Sequence, residues 1–377
     1  MTQSHPTPGI APTDADLAQS YHEADPQLAL HRQAEAVLTG SQGITVLTTE
    51  TGSEGERTAL IRLCDDGSVT WERRYEPACG AGRSLAERGD ASFVIAGDLR
   101  RSAMAYQGHL LQVDRAGTVV AAKAIGPPGL TGLVCVVVLT DGVTVAGGIA
   151  NGQAWLIRAD GASQSDIELP GSCDVLALAA RPSGGFAATC VFDESMTTLG
   201  RARVMAWSAD GTASWQTDLP SCGRGELTRL ATLPDGGFAA VGHYLAKNQT
   251  KARLWVARLD AEGAVAWQRS LGPIGVEQRG RAIVVLADGS IVAAGDFVDG
   301  ELRQARMVRL DASGATLWER SLGADDRYTI VRGVASTPVG LILVGSANKG
   351  DGKTAAWVSA LDAEGHQTWE RTFPPSG

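Results

Sequence analysis

The sequence predicts an all-β chain folded as one seven-bladed β-propeller of four-stranded antiparallel blades. Three observations predict it: a Gly-x-x-x-Trp turn that returns at near-constant spacing, four short apolar runs in each repeat, and tight-turn residues between the runs.

The turn reads CDDGSVTW (64–71), SADGTASW (208–215), LDAEGAVAW (259–267), LDASGATLW (310–318) and LDAEGHQTW (361–369). Two degenerate copies fill the gap: VDRAGTVVA (113–121), with Ala121 in place of Trp, and the shortened RADGASQSD (158–166). Its glycines, Gly67, Gly117, Gly161, Gly211, Gly263, Gly314 and Gly365, are separated by 50, 44, 50, 52, 51 and 51 residues, which gives seven repeats. A β-solenoid would need shorter repeats with fewer strands, and a sandwich would not repeat itself.

Within a repeat the four runs are clearest in the sixth: RAIVVLA (281–287), SIVAAGDF (290–297), ARMVRLD (305–311) and ATLWERSL (315–322). They are rich in Val, Ile, Leu and Trp and too short for average helices, so they read as strands. Asp288-Gly289 separates the first two, as Asp235-Gly236-Gly237 does in the fifth repeat. Between the third and fourth, Asp260, Asp311 and Asp362 each precede a glycine by three positions. There an Asp carboxylate bonds the backbone two residues on, and the glycine accepts a positive φ, so the chain reverses tightly. Trp71, Trp215, Trp267, Trp318 and Trp369 fall in the fourth, outermost strand, where a large ring can wedge between blades.

The blades span residues 32–374, and the first begins near Arg32. Residues 1–31 lie outside the repeat as an N-terminal extension, disordered over its first seventeen or so, with 14–30 forming a short helix or a strand that seals the seam between blades 7 and 1. No strand swapped between the ends is evident.

The Asp-Ala-x-Gly-x-x-x-Trp cluster of blades 5 to 7 resembles the tryptophan-docking repeat of pyrroloquinoline-quinone-like bacterial propellers. The resemblance covers the repeats and implies the scaffold only. That family usually has eight blades and a longer Asp-to-Gly turn, and no cofactor residue carries over, so quinone chemistry is not implied and the cofactor stays unknown. The turn also looks like a sialidase Asp-box, but Trp follows Gly by four positions instead of three, and no arginine triad matches.

The 377 residues are 44% hydrophobic and 20% charged, ample for a folded core. A net charge of -9 argues against nucleic-acid and anionic-membrane partners. No apolar run approaches the ~18–20 residues that cross a bilayer, and MTQSHPTPGIAPTDAD has neither a basic start nor an apolar core. The expectation is a soluble, cytoplasmic monomer. Asn248-Gln249-Thr250 is formally a glycosylation sequon but means little without export.

The loops joining strands 2 to 3 and strand 4 to the next blade share one face, and the 2–3 loops vary most, as in DLRRSAMAYQG (98–108), FDESMTTLGRA (192–202), HYLAKNQTK (243–251) and DFVDGELRQ (296–304). Arg83, Arg229, Arg281 and Arg332 recur at the start of the innermost strand, with Arg32 a looser match. Together they could ring one channel mouth and clamp a carboxylate or phosphate, or each could pair with an acid such as Glu226, Glu277 or Asp326. His109 and His243 belong to this face with Asp98, Asp193, Glu194 and Asp296, a set capable of acid–base work.

Cys79, Cys173 and Cys222 in the 4–1 connections could meet a metal with His243, but free or buried thiols are the expectation and no metal is assigned. Cys64, Cys135 and Cys190 read as small core residues within strands. ANKGDGKT (347–354) matches a phosphate-loop pattern, yet the segment after it, AAWVSALD, is a strand where a helix is required, so it reads as a hairpin loop. Nucleophile-elbow, zincin and dinucleotide motifs are absent from the sequence. The functional expectation is a non-catalytic module that holds a protein, peptide or anionic ligand on the face of the 2–3 and 4–1 loops. The alternative is a hydrolase or lyase with Arg83, Arg281 and His243 at the channel mouth. A sugar-binding propeller ranks third, because the loops do not repeat a pocket.

Overall fold

The computed structural model describes residues 29–52, 55–75, 80–102, 105–161, 163–169, 173–192, 201–219, 223–247, 249–299, 302–323, 328–348 and 353–375. The sealing role expected of residues 14–30 therefore lies almost wholly outside the described residues, as do Cys79, Cys222, Asp193, Glu194 and Asp326.

The described residues form 28 strands, four to a blade in chain order, over 29–75, 80–129, 131–167, 174–218, 223–271, 277–322 and 328–373. Within each blade strands 1 to 4 pair antiparallel in sequence. Single parallel bridges, Arg303 with Tyr328 and His31 with Thr354, link blades 6, 7 and 1.

The turns form as their residues dictate. Asp260 Oδ1 accepts the Glu262 and Ala264 amides at 3.1 and 2.7 Å, and Gly263 sits at φ 89°. Asp311 and Asp362 make the same pair of bonds in blades 6 and 7. That local network closes each 3–4 hairpin without help from the rest of the ring.

Among the described residues no apolar core runs through the middle of the molecule. The buried apolar residues fall into seven clusters, each made by the facing sides of two neighbouring blades. Small residues on one face meet larger ones on the next, as where Ala177, Ala187 and Ala206 of blade 4 meet Leu227, Phe238 and Trp255 of blade 5. At the outer edge each strand-4 tryptophan lies over the turn glycine of the following blade: Trp71 on Gly117, Trp215 on Gly263, Trp267 on Gly314, Trp318 on Gly365 and Trp369 on Gly67. A side chain at any of these glycines would strike the indole; at Gly263 its first carbon would lie 2.5 Å from the Trp215 ring. Where blade 3 lacks Trp, Ile167 takes the place against Gly211, and beside Ala121 the space over Gly161 stays open.

The last of these contacts closes the ring. Among the described residues no strand is exchanged between the ends: strands 1 and 28 pair only within blades 1 and 7, apart from the His31 bridge. Blade 7 is joined to blade 1 by the Trp369 indole, whose Nε1 donates to Asp65 O at 2.9 Å, by Thr39 Oγ1 donating to Ser336 O at 2.6 Å, and by a shared apolar cluster. One cysteine reading is corrected. Cys64 lies outside the third strand of blade 1, which ends at Leu63, and is exposed in the hairpin, because the turn begins at that residue; Cys135 and Cys190 are buried in strands as expected.

Candidate functional site

Each innermost strand carries a β-bulge at the same level. The unpaired residues are Glu35, Arg83, Val134, Leu176, Thr228, Arg281 and Arg332. A bulge bends its strand and turns the extra side chain out of the sheet, here at seven matching points around the axis. Strand 2 makes room for it with glycine. At Gly97, Gly148, Gly242, Gly295 and Gly345 an added carbon would lie 1.7–2.0 Å from the carbonyl oxygen two residues before the bulge.

Just inside this ring, all seven blades line a cavity of about 140 Å³ that holds Glu35, Arg83, Arg229 and Arg332 on one part of its wall and Val134, Leu176 and Leu178 on another. That volume holds a few water-sized groups, below the ~300–1,000 Å³ of sites for drug-sized ligands.

The charges here are not equivalent. Arg83 bonds Asp98 and Glu56, with its Nη2 3.1 Å from Glu56 Oε2 and its Nε 3.3 Å from Asp98 Oδ1. Burial works to lower its pKa, and those two carboxylates outweigh it. Arg332 donates to Gln33 Oε1 at 2.7 Å and lies 3.6 Å from Glu35 Oε2. Arg229 donates only to the Thr228 carbonyl, and no carboxylate among the described residues pairs with it. Enclosure by the channel lowers its pKa. Glu35 is only 8% exposed and its Oε1 has no hydrogen-bond partner among the described residues. Burial raises its pKa against the pull of Arg332, Arg83 and Arg229.

The predicted site residues divide accordingly. Arg83, Arg229 and Arg332 converge on the cavity, whereas Arg281 is held by Asp296, which also accepts from Arg303 at 2.6 Å. Asp98 and Asp296 thus serve as anchors for arginines. The acids expected to neutralise them do not: Glu226 faces His243, and Glu277 takes Arg279 at 2.9 Å, because these side chains lie at the start of the strand, above the bulge. Arg32 points into blade 1, where it pairs with Glu50 at 3.2 Å and Glu72 at 2.7 Å. Cys173 packs with Cys135 and Cys190 between blades 3 and 4, away from His243 in blade 5.

The two histidines part as well. His243 opens onto a rim cavity of about 600 Å³ between blades 5 and 6, with Arg224, Glu226, Lys251, Glu277 and Arg279. Its Nε2 is 3.8 Å from Glu226 Oε2, and burial lowers its pKa. His109 is 1% exposed inside blade 2, so it is not presented to a ligand on the loop face. Burial, reinforced by Arg101, pushes its pKa from 6.5 down to about 4. A folded value below the unfolded one means full stability above pH 6.5 and loss as pH falls through 4. The shift corresponds to about 3 kcal/mol. His109→Gln should flatten the melting-temperature profile between those limits, and an unchanged slope would assign the acid lability to other groups.

Sequence reasoning missed Glu35. The signal was present in the glycines of strand 2 in five blades, each 13 or 14 residues after a bulge, but in blade 1 Thr48 stands at that position, as Cys190 does in blade 4.

No protein-family model and no curated protein matches the chain. Among solved structures it is similar to puromycin hydrolase, with TM-score 0.58 and 15% identity over 97% of this chain and 56% of that one, so it spans about half of that enzyme. The β-propeller domain of the trilobed protease from Pyrococcus furiosus is similar with TM-score 0.56 and 9% identity over 93% and 99% of the two chains. Virginiamycin B lyase from Staphylococcus aureus gives TM-score 0.54 and 13% identity over 82% and 90%. At such identities the likeness shows the propeller fold alone.

Proposed function

We propose that this propeller is a non-catalytic binding module that captures an anionic group, free or carried by a protein or peptide partner, at the channel mouth on the face of the 2–3 and 4–1 loops. The observation that carries the reading is Arg229, a guanidinium facing the cavity with no carboxylate among the described residues to neutralise it. An oxyanion there would gain charge-assisted hydrogen bonds that the neighbouring arginines already spend on Asp98, Glu56 and Asp296. The overall charge of -9 favours a solitary ligand or a local docking contact over nucleic acid or membrane, and the module is read as a cytoplasmic monomer. The contacts of the strand-4 indoles support reading the blades as the tryptophan-docked kind of repeat.

Thermal-shift titration tests this. Phosphate should raise the wild-type melting temperature. Arg229→Met should weaken that response at least tenfold, equivalent to about 1.4 kcal/mol, while Arg281→Met, whose guanidinium is tied to Asp296, should keep it. Equal responses in Arg229→Met and wild type would remove the reading. The enzyme alternative rests on His243 beside Glu226 in the rim cavity, a neutral base next to a carboxylate. A turnover assay in which His243→Gln abolishes activity would put it first.

A further inference from the structure

We infer that the channel cavity binds its oxyanion together with one proton shared with Glu35, and so takes hydrogen phosphate in preference to sulfate. This rests on the anion-binding reading above and specifies its ligand. The starting point is a mismatch in one small space. Arg229 has no carboxylate partner, and Arg332 Nε has no acceptor among the described residues. Beside them the carboxyl of Glu35, itself more than nine-tenths buried, has no donor to Oε1 among the described residues.

A ligand that only accepts hydrogen bonds would satisfy the arginines and set its lone pairs against those of Glu35. An ionised carboxylate is acceptor-only, so the ligand must bring an O–H or the carboxyl must take up a proton. Hydrogen phosphate brings one. Its other oxygens accept from Arg229 and Arg332, and its O–H donates to Glu35 Oε1. Sulfate has no such proton near neutral pH, so it enters only when Glu35 is protonated. Leaving a buried polar atom unpaired is what makes a site built around a hydroxyl reject its counterpart without one.

The groups acting on Glu35 are Arg332 from blade 7, Arg83 from blade 2, Arg229 from blade 5 and Glu56 from blade 1. None of the arginines can supply a proton. Sulfate affinity should therefore fall about tenfold per pH unit above the folded pKa of Glu35, while phosphate, which carries its own proton, escapes that slope.

Isothermal titration at pH 8 with potassium phosphate, sodium sulfate and methyl phosphate decides the matter. Wild type should bind phosphate at least tenfold more tightly than sulfate. Methyl phosphate, whose dianion has lost its proton, should track sulfate. Glu35→Gln, isosteric and able to donate from its amide, should narrow the gap between phosphate and sulfate to less than threefold; circular dichroism matching wild type establishes that it folds. Arg229→Met should weaken both anions. Equal affinity of wild type for phosphate and sulfate, or methyl phosphate binding like phosphate, overturns the shared proton and leaves the anion site standing. No binding of any of the three anions overturns both.

Discussion

Gly242→Ala should destabilise the protein by about 3 kcal/mol or more and weaken the anion response at least tenfold. The new methyl would sit 1.7 Å from Glu226 O and 2.8 Å from Leu227 Cα. Both are backbone atoms of the strand that bears the bulge, so no side chain can swing aside. Relief requires strand 1 of blade 5 to shift, and the residue just past that bulge is Arg229. Displacing a binding group by even an ångström loses most of its contribution. Gly89→Ala is the control: nothing lies within 4 Å of its Cβ position, and the change should stay within about 0.5 kcal/mol. Urea melts of the two variants suffice. A Gly242→Ala protein as stable as wild type would mean that the bulge is not rigid.

Trp369→Ala should cost about 3–5 kcal/mol, more than the same change at Trp267. The two indoles make matched contacts. Trp267 covers Gly314 and donates to Ala312 O at 2.9 Å; Trp369 covers Gly67 and donates to Asp65 O at 2.9 Å. They differ in connectivity. Blades 5 and 6 follow each other in the chain, so a short connection keeps them together when the contact is lost. Blades 7 and 1 are the two ends of the ring, with no exchanged strand among the described residues, and separating them releases a large loop's worth of entropy. Urea midpoints and limited proteolysis of the two variants read the difference directly. Equal losses would show that the seam is held by its apolar cluster, without special dependence on the indole.

The hairpins were legible because their causes are local. Asp311 and Gly314 need only each other and the intervening amides to turn the chain, and the spacing of such turns counts the blades. The arginines were legible as a recurrence, and three of four reach the cavity. Their partners were not. Asp296 is fifteen residues from Arg281 in sequence and adjacent to it in the sheet, whereas Glu277, closer along the chain, lies above the bulge. Register across a strand pair decides such pairings, and a single unpaired residue resets it.

By itself the sequence determined the repeat, the number of blades, the position of each turn and the tryptophan edge, since each follows from short-range backbone preference or from periodicity. Only the tertiary structure decided which charges meet. Glu35 and Arg229 are 194 residues apart and belong to different blades. Ring closure and seven aligned bulges bring them to one cavity, because electrostatic partnership depends on distance through space, to which spacing along the chain is blind.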